Sequence, residues 1–487
     1  SSIGCACRKI ILGHSRVMTL QMASQVGDKG AHDGTLDPHR WLFLLIYFCL
    51  PTSQCIAWSS FSSVPLHIAQ QYFTGEVVSE FTVNLFLNWG MIMFFPFLPV
   101  ATALHLQRGR GLLFALKLGG FLTAAGSLLR CFQSVWCSHA GQILVGAAGP
   151  LVWNACASFS NAWFPPEERT LATAISSGMP ILGQAIQFLC ALYVTDAVAF
   201  LRMLQVEAVI CGIVALMVFV LPPGPAQAPT VSAAAHASHD PSVDGFSGLA
   251  RRCCEDLQTV TSNWDCLLIS FATGFGYGIF GAFASSMPII LHRDEGKTLS
   301  EWLGFLSLAG NVVGALLVGL ASDRCFHRRL KFVLAACIAI GFLSIALFSL
   351  AVPSPIWNSG LFGHAAAAFQ VASMGLASVV VGGVFPLGIE LAAELAYPAE
   401  EATVVGAITI IYNFSSMVYV AVMDRIPNDW VSMPILATLA ASFVCVTLAH
   451  ERYRRSDADE GEAVESRKQL QNTGLIEHTE AAAFQLS

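Results

Sequence analysis

Apolar runs of about 20 to 25 residues recur along this chain and alternate with short polar stretches. A helix of that length rises about 30 Å, which is the thickness of the hydrocarbon core of a bilayer. With 55% hydrophobic and 12% charged residues, the chain has too little polar surface for a set of soluble domains. The runs therefore predict a helical protein that crosses a membrane many times.

The order of the runs predicts an all-α membrane protein with twelve transmembrane helices in two six-helix bundles. A polar stretch, 222–262, opens with Pro-Pro-Gly-Pro and separates the first six runs from the last six. Its composition indicates a flexible cytoplasmic linker. The other predicted domains are a cytoplasmic N-terminal segment (1–40), the two bundles (41–221 and 263–450) and a disordered cytoplasmic tail (451–487). Spans 1 to 12 are predicted at 41–63, 81–105, 111–131, 139–162, 170–194, 200–221, 264–291, 299–321, 330–351, 366–392, 402–424 and 431–450.

The basic residues favour an orientation with both termini in the cytoplasm. The positive-inside rule places Lys and Arg on that side of the membrane. Of the 25 Lys and Arg residues, the exceptions to this orientation are Arg130, Arg202, Arg293, Lys297 and Arg425. We expect a multi-pass protein of the plasma membrane or of an endolysosomal membrane.

Charge and cysteine usage argue against several other classes of protein. The net charge of -7 leaves no basic field for nucleic acid. Most of the 15 cysteines lie singly in apolar runs and lack metal-ligand spacing, so we expect neither a disulfide scaffold nor a metal site. No clustered histidine and carboxylate set appears in or beside the spans, so we do not expect an enzyme or a cofactor. We expect a monomer that binds a small-molecule substrate and the lipid bilayer.

One loop carries a specific motif. Residues 319–329 read Gly-Leu-Ala-Ser-Asp-Arg-Cys-Phe-His-Arg-Arg, and this resembles the G-x-x-x-D-R-x-x-x-R-R signature of the major facilitator transporters between spans 8 and 9. The plan of six plus six spans is also theirs. Gly319 would let two helices approach, Asp323 would accept charge-assisted hydrogen bonds, and Arg324 and Arg328 would help to hold the cytoplasmic side shut.

Two acidic residues extend this predicted gate. Glu390 and Glu394 lie near the cytoplasmic end of span 10, where we expect them to pair with the arginines of the loop between spans 8 and 9. No carboxylate lies plainly at the middle of the membrane, where a proton relay would need one. The sequence therefore favours facilitated, gradient-driven transport over obligate proton symport.

Further stretches resemble one branch of that superfamily. They include Gln54-Cys-Ile-Ala-Trp58, the run 163–169 that reads Trp-Phe-Pro-Pro-Glu-Glu-Arg, and the run 386–401 at the end of span 10. These are similar to the feline leukaemia virus subgroup C receptor family of haem and choline-type transporters, which includes the disrupted-in-renal-carcinoma member. The resemblance implies that Trp58 forms one wall of an aromatic choline site. From its position alone, Trp58 would either hold an ammonium group by cation–π attraction or anchor span 1 at the lipid interface.

Four more residues complete the candidate substrate site. Tyr277 lies among glycines on span 7, a spacing that also suits close helix packing. Asn413 on span 11 stands where the choline-binding branch has a glutamine. The span 5 glutamine of that branch maps onto Ile181, and Gln184 lies one turn further along. Gln54 is the polar residue that precedes Trp58 on span 1.

The sequence predicts an alternating-access transporter of a small organic solute, with a choline- or ethanolamine-like amine as its first candidate substrate. The resemblance implies haem as the second candidate, since the same aromatic cavity could hold a flat amphiphile. Histidine is the usual axial ligand of haem iron. The histidines near the predicted outer ends of spans lack mutual spacing that would mark a site: His67, His139, His292 and His364. An alternative from another class is a receptor or sensor that kept the transporter fold without transporting.

Overall fold

In a computed structural model, the described residues are 37–106, 110–222, 224–225, 246–285, 297–326, 328–352, 366–423, 430, 432–458 and 460–461. Throughout these ranges the regular elements are helices. They are α1 (Arg40–Ser63), α2 (Leu66–Gln71), α3 (Glu80–Leu106), α4 (Arg110–Leu129), α5 (Val135–Trp153), α6 (Ala155–Trp163), α7 (Pro166–Ala191), α8 (Ala197–Val218), α9 (Phe246–Ser262), α10 (Trp264–Ser285), α11 (Lys297–Cys325), α12 (Leu330–Leu350), α13 (Ala366–Gly382), α14 (Val384–Ala396), α15 (Glu401–Met423) and α16 (Ser432–Leu448).

Each of the twelve predicted membrane crossings has a helical counterpart. Within the described ranges, 11 segments are long and apolar enough to cross a membrane, and α16 is a shorter apolar helix of 17 residues. The first bundle contains α1, α3, α4, α5 with α6, α7 and α8, and the second contains α10, α11, α12, α13 with α14, α15 and α16. The predicted fold class is confirmed.

Spans 4 and 10 are both broken in their second half. Span 4 breaks at Asn154, between α5 and α6, and span 10 breaks at Gly383, between α13 and α14. Pro150 and Pro386 lie within four residues of the breaks, and proline inside a helix removes one backbone hydrogen bond. Because the two breaks occur in corresponding spans, they match an architecture of two repeated halves.

The two bundles meet along several pairs of helices. α7 of the first bundle packs against α11 of the second, and α3 packs against α15. At the first contact, a Cβ atom on Gly319 would lie 2.7 Å from the Cβ of Ala174. Glycine is therefore needed for α11 to approach α7 this closely, as the motif in the sequence suggested.

Two segments that we predicted to be flexible are ordered in part. The second half of the linker forms α9, which contacts α3 and α15 and carries an Arg251–Glu255 ion pair of 2.8 Å one helical turn apart. The tail is ordered over 451–458, where the Tyr453 hydroxyl accepts a hydrogen bond of 2.8 Å from the Leu330 backbone. In these described stretches the structure thus has a helix and a hydrogen-bonded segment where we expected flexible chain. The segment 1–36 and the tail beyond 461 lie outside the described residues.

Candidate functional site

A cavity of about 180 Å³ lies between the two bundles. We call it the central cavity. The first bundle contributes side chains from α1, α3 and α7, and the second contributes side chains from α10, α11 and α15. The lining includes Trp58, Met91, Gln184, Phe188, Tyr277, Phe280, Asn311 and Tyr412. A cavity shared by two halves is the arrangement that rocking of one half against the other can expose to either side of a membrane.

Trp58 lies on the wall of this cavity and is 8% exposed. Its backbone carbonyl accepts a hydrogen bond of 3.2 Å from the Gln142 side chain, and its ring meets the edge of Trp153 at 6.1 Å between centroids. Gly90 on α3 lies against the indole, so any side chain at that position would overlap the ring. Because Trp58 is buried between helices, the alternative of an interfacial lipid anchor does not hold.

Tyr277 is the aromatic contribution of α10. Its hydroxyl donates a hydrogen bond of 2.7 Å to Asn311 Oδ1, and its ring stacks on Phe385 at 4.9 Å between centroids. The ring of Tyr412 lies 5.9 Å away. The two tyrosines therefore belong to one aromatic cluster on the second bundle, and their orientation is fixed by packing and by the bond to Asn311.

The other predicted site residues divide into two groups. Gln184 lines the central cavity. Gln54 uses both ends of its amide inside the first bundle, donating to Val145 O and accepting from Trp153 Nε1, each at 2.9 Å. Asn413 donates to the Thr409 carbonyl on its own helix at 2.9 Å. Neither Gln54 nor Asn413 is among the residues that line the cavity.

Sequence reasoning missed several residues of the wall, including Tyr412 and Asn311. Tyr412 lines the cavity next to the predicted Asn413, and a shift of one residue turns a helical side chain by about 100°. Asn311 also lines the cavity and is 4% exposed. The signal that could have found Asn311 is its polar side chain on the otherwise apolar span 8, since polar groups inside a membrane tend to be functional.

The described wall of the central cavity carries no charged side chain. In the described part of the chain, the residues lining the central cavity include no Asp, Glu, Lys, Arg or His. A bound cation would therefore meet aromatic faces and neutral amide or hydroxyl groups. Of the histidines considered for haem, His139 accepts a hydrogen bond of 2.9 Å from Trp89 Nε1, whereas His292 and His364 lie outside the described residues.

A second cluster lies at the end of the molecule where α1 begins, at Arg40, and α16 ends, at Leu448. We call this end the terminus side. Here Asp323 Oδ2 on α11 accepts a hydrogen bond of 2.8 Å from the Leu171 backbone on α7. Glu390 Oε1 on α14 accepts one of 2.6 Å from Thr173 Oγ1, also on α7. Both bonds join the two bundles, so the terminus side is closed.

The predicted arginine partners of this cluster need correction. Glu390 and Glu394 are paired with Arg455, from the segment after α16, at 2.7 Å and 3.2 Å. Arg328 instead pairs with Glu460 at 3.2 Å, and Arg324 is exposed. The prediction failed because we treated the segment after α16 as disordered, whereas a guanidinium surrounded by carboxylates is well stabilised when buried.

The electrostatics of Arg455 follow from these neighbours. Burial opposes its positive charge, but the nearby Glu394, Glu390 and Glu401 outweigh that effect and raise the pKa of the guanidinium. Glu401 Oε1 lies 3.7 Å from Arg455 Nη1. Arg455 is therefore permanently charged in this cluster.

The first bundle contains a further buried charge pair. Arg130 Nη2 lies 3.3 Å from Glu207 Oε2, which also accepts a hydrogen bond of 2.6 Å from Ser60. Arg130 Nη1 donates to the carbonyl of Ala57, the residue before Trp58. In the sequence, Arg130 was noted only as an exception to the positive-inside rule. The network holds α1 in place on both sides of Trp58.

Comparison with known proteins gives a consistent picture. The family model described as Major Facilitator Superfamily matches residues 43–421. The chain is 28% identical over 445 residues to a Solute carrier family 49 member 4 homolog of Xenopus laevis, with 85% of this chain and 92% of that protein covered. It is 22% identical over 426 residues to Choline/ethanolamine transporter flvcr2a of Danio rerio, with 84% of each chain covered. Among solved structures, the transporter FucP in its outward conformation superposes with a TM-score of 0.61 at 14% identity, with 84% of this chain and 100% of FucP covered.

Proposed function

Because the chain belongs to the major facilitator superfamily, a family of multi-pass membrane transporters, we propose that it carries a choline- or ethanolamine-like amine by alternating access. The observation that carries the proposal is the central cavity, which is shared by both bundles and walled by Trp58, Tyr277 and Tyr412. The 22% identity to a choline/ethanolamine transporter supports the same substrate class. We further propose that the chain falls in the branch named above from sequence resemblance.

The chemistry of the wall suits an organic cation. An ammonium group over a tryptophan or tyrosine face gains about 2 kcal/mol when it is desolvated. A substrate hydroxyl or primary amine can hydrogen-bond to the amides of Gln184 and Asn311, which come from opposite bundles. A substrate that touches both bundles would favour the state in which the bundles close around it.

The terminus side supplies the gate in this mechanism. Asp323 and Glu390 hold α11 and α14 against α7 through the bonds to Leu171 and Thr173. Opening of this side requires those two bonds to break while each bundle keeps its own core. With both termini in the cytoplasm, as the basic residues favour, the gate lies on the cytoplasmic side of the membrane. That membrane is the plasma membrane or an endolysosomal membrane.

Gradient-driven transport fits this site better than obligate proton symport. The described wall of the central cavity carries no carboxylate, and the buried Glu207 in the first bundle is already paired with Arg130. A proton relay would need a carboxylate whose charge changes with substrate binding. We therefore propose facilitated transport.

Haem is the second candidate substrate. A flat amphiphile would also stack on the aromatic wall, but the described cavity offers it no histidine as an axial ligand. The cavity volume of about 180 Å³ also favours a small amine over a macrocycle. Competition by haem, measured in the same vesicles, tests this order.

Counterflow in proteoliposomes tests the proposal. Vesicles loaded with unlabelled choline should transiently accumulate external labelled choline above its equilibrium level, and ethanolamine should compete. Vesicles without the protein provide the background. A receptor or sensor on the same fold would bind labelled choline without counterflow, and that result would contradict transport. Counterflow of haem without counterflow of either amine would reverse the order of the substrates.

A further inference from the structure

The chain folds back on itself after the last span. We call residues 451–458 with 460–461 the return segment. It lies against the start of α12: the Lys331 backbone donates a hydrogen bond of 2.9 Å to Glu451, and the Leu330 backbone donates one of 2.8 Å to the Tyr453 hydroxyl. Tyr453 in turn donates to Glu451 at 2.5 Å. These bonds fix the segment beside the loop between α11 and α12.

Arg328 holds the far part of the return segment. Its guanidinium donates to both carboxylate oxygens of Glu460 at 3.2 Å and also pairs with Asp457. It lies over the ring of Tyr453 at 5.4 Å from the centroid. The backbone of Arg328 has a φ of 58°, in the left-handed region that residues other than glycine seldom adopt. Arg328 thus links the loop of the superfamily motif to the return segment.

Within the described return segment, Arg455 is the one cation that is buried among carboxylates. It is 3% exposed and lies within 4.0 Å of Glu390, Glu394 and Glu401. Ser456 adds two hydrogen bonds to Glu394, from its backbone at 3.0 Å and its hydroxyl at 2.8 Å. Without Arg455, three buried carboxylates would remain close together, and like charges in a buried site disfavour ionisation or draw in water.

One of these carboxylates also reaches the other bundle. Glu390 binds Arg455 through Oε2 and accepts the Thr173 hydroxyl through Oε1. Docking of the return segment therefore stabilises the arrangement in which Glu390 is buried between the bundles. If the segment leaves, the carboxylates must be hydrated, and separation of the bundles on the terminus side would allow water to reach them.

From this geometry we propose that the return segment is a latch: docked Arg455 favours the closed terminus side, and release of the segment favours its opening. The latch acts as an internal ligand that binds one of two conformations better than the other. It operates whatever the substrate is, so its test does not depend on the proposed function.

Cys156 reports on opening of this side. It lies near the start of α6, is 1% exposed and belongs to a buried cluster formed mostly by the second bundle. The full-length protein in lipid nanodiscs would be treated with a water-soluble maleimide, and labelling of each cysteine would be followed by mass spectrometry. Cys211 and Cys337 are buried within the first and second bundle respectively and report on unfolding. The exposed Cys325 is the positive control.

Arg455→Ala should raise the rate of Cys156 labelling about tenfold over the wild type, because the closed state loses its buried counter-charge. Arg455→Lys should raise it less. Arg454→Ala removes an exposed neighbour of the same charge and should leave the rate unchanged. Unchanged Cys156 labelling in Arg455→Ala, with Cys211 and Cys337 still protected, would overturn the proposal.

Labelling of Cys211 or Cys337 would show that Arg455→Ala unfolds. In that case a milder variant tests the latch. Ser456→Asp places a carboxylate beside Glu394 and should weaken docking while Arg455 remains. We expect Cys156 to label faster in this variant with both bundle cysteines protected. Labelling at the wild-type rate would contradict the latch.

Discussion

Gly90 on α3 lies directly against the indole of Trp58 on α1. A Cβ atom at this position would fall 2.6 Å from Cδ1 and 2.7 Å from Cε2 of the ring, and it would also overlap Nε1. These contacts involve a stiff aromatic ring rather than the end of a flexible chain. Gly90 therefore sets the position of the indole on the cavity wall.

Gly90→Ala should consequently lower transport even though residue 90 itself is not the proposed binding group. Overpacking of this kind costs about 1–3 kcal/mol, and displacement of the indole should lower kcat/KM for choline about tenfold or more. The measurement is the initial rate of labelled choline uptake over a range of concentrations. Gly212→Ala is the matched control, because a Cβ at Gly212 would meet nothing within 4 Å. Equal kinetics for the two variants would disprove this role of Gly90.

The twelve crossings and their division into two bundles follow from the sequence because a long apolar run has few alternatives to a membrane helix. Which side chains face the cavity does not follow as directly. The resemblance pointed to Asn413, but its neighbour Tyr412 lines the wall. A shift of one residue turns a helical side chain by about 100°, so a match of positions between distant sequences does not fix which side chain faces the cavity. Trp58 and Gln184 line the wall as expected from the resemblance and from helical spacing.

The pairing of charges was hidden for a different reason. Glu390 and Arg455 are 65 residues apart in the chain and come together through the folding of α15, α16 and the return segment. The spacing of residues in the sequence does not predict a contact between residues this far apart. Arg130 and Glu207, which are 77 residues apart, pose the same problem within the first bundle.

Asp323→Asn should lower the turnover number more than the affinity for substrate. The amide oxygen can still accept the Leu171 N–H, but it lacks the negative charge that strengthens this bond between the bundles. Because the bond lies on the terminus side and away from the cavity wall, kcat should fall while KM changes little. Kinetics of labelled choline uptake provide the measurement.

Asp196→Asn is the control for that variant. Asp196 caps the start of α8 by accepting a hydrogen bond from the Ala199 backbone, and asparagine caps helices equally well. Turnover should stay at the wild-type value. Normal turnover in Asp323→Asn would remove Asp323 from the gate.

The Arg130–Glu207 pair should contribute to stability mainly because either charge, left buried without its partner, would be strongly destabilising. Arg130→Met leaves Glu207 buried without its cation and should destabilise the first bundle by about 3–5 kcal/mol. Adding Glu207→Gln should recover much of the loss, since no buried charge then remains. Apparent melting temperatures of the single and double variants form a cycle that isolates the interaction. Additive losses would show that the two side chains act independently.

Uptake by Trp58→Ala tests the central claim most directly. The account predicts a protein that still folds but whose saturable uptake of labelled choline is abolished, because the aromatic face is gone. Trp58→Phe should keep part of the uptake, and Trp136→Ala, which removes a tryptophan that is 79% exposed, should keep all of it. Saturable uptake by Trp58→Ala at the wild-type rate would contradict the aromatic cation site.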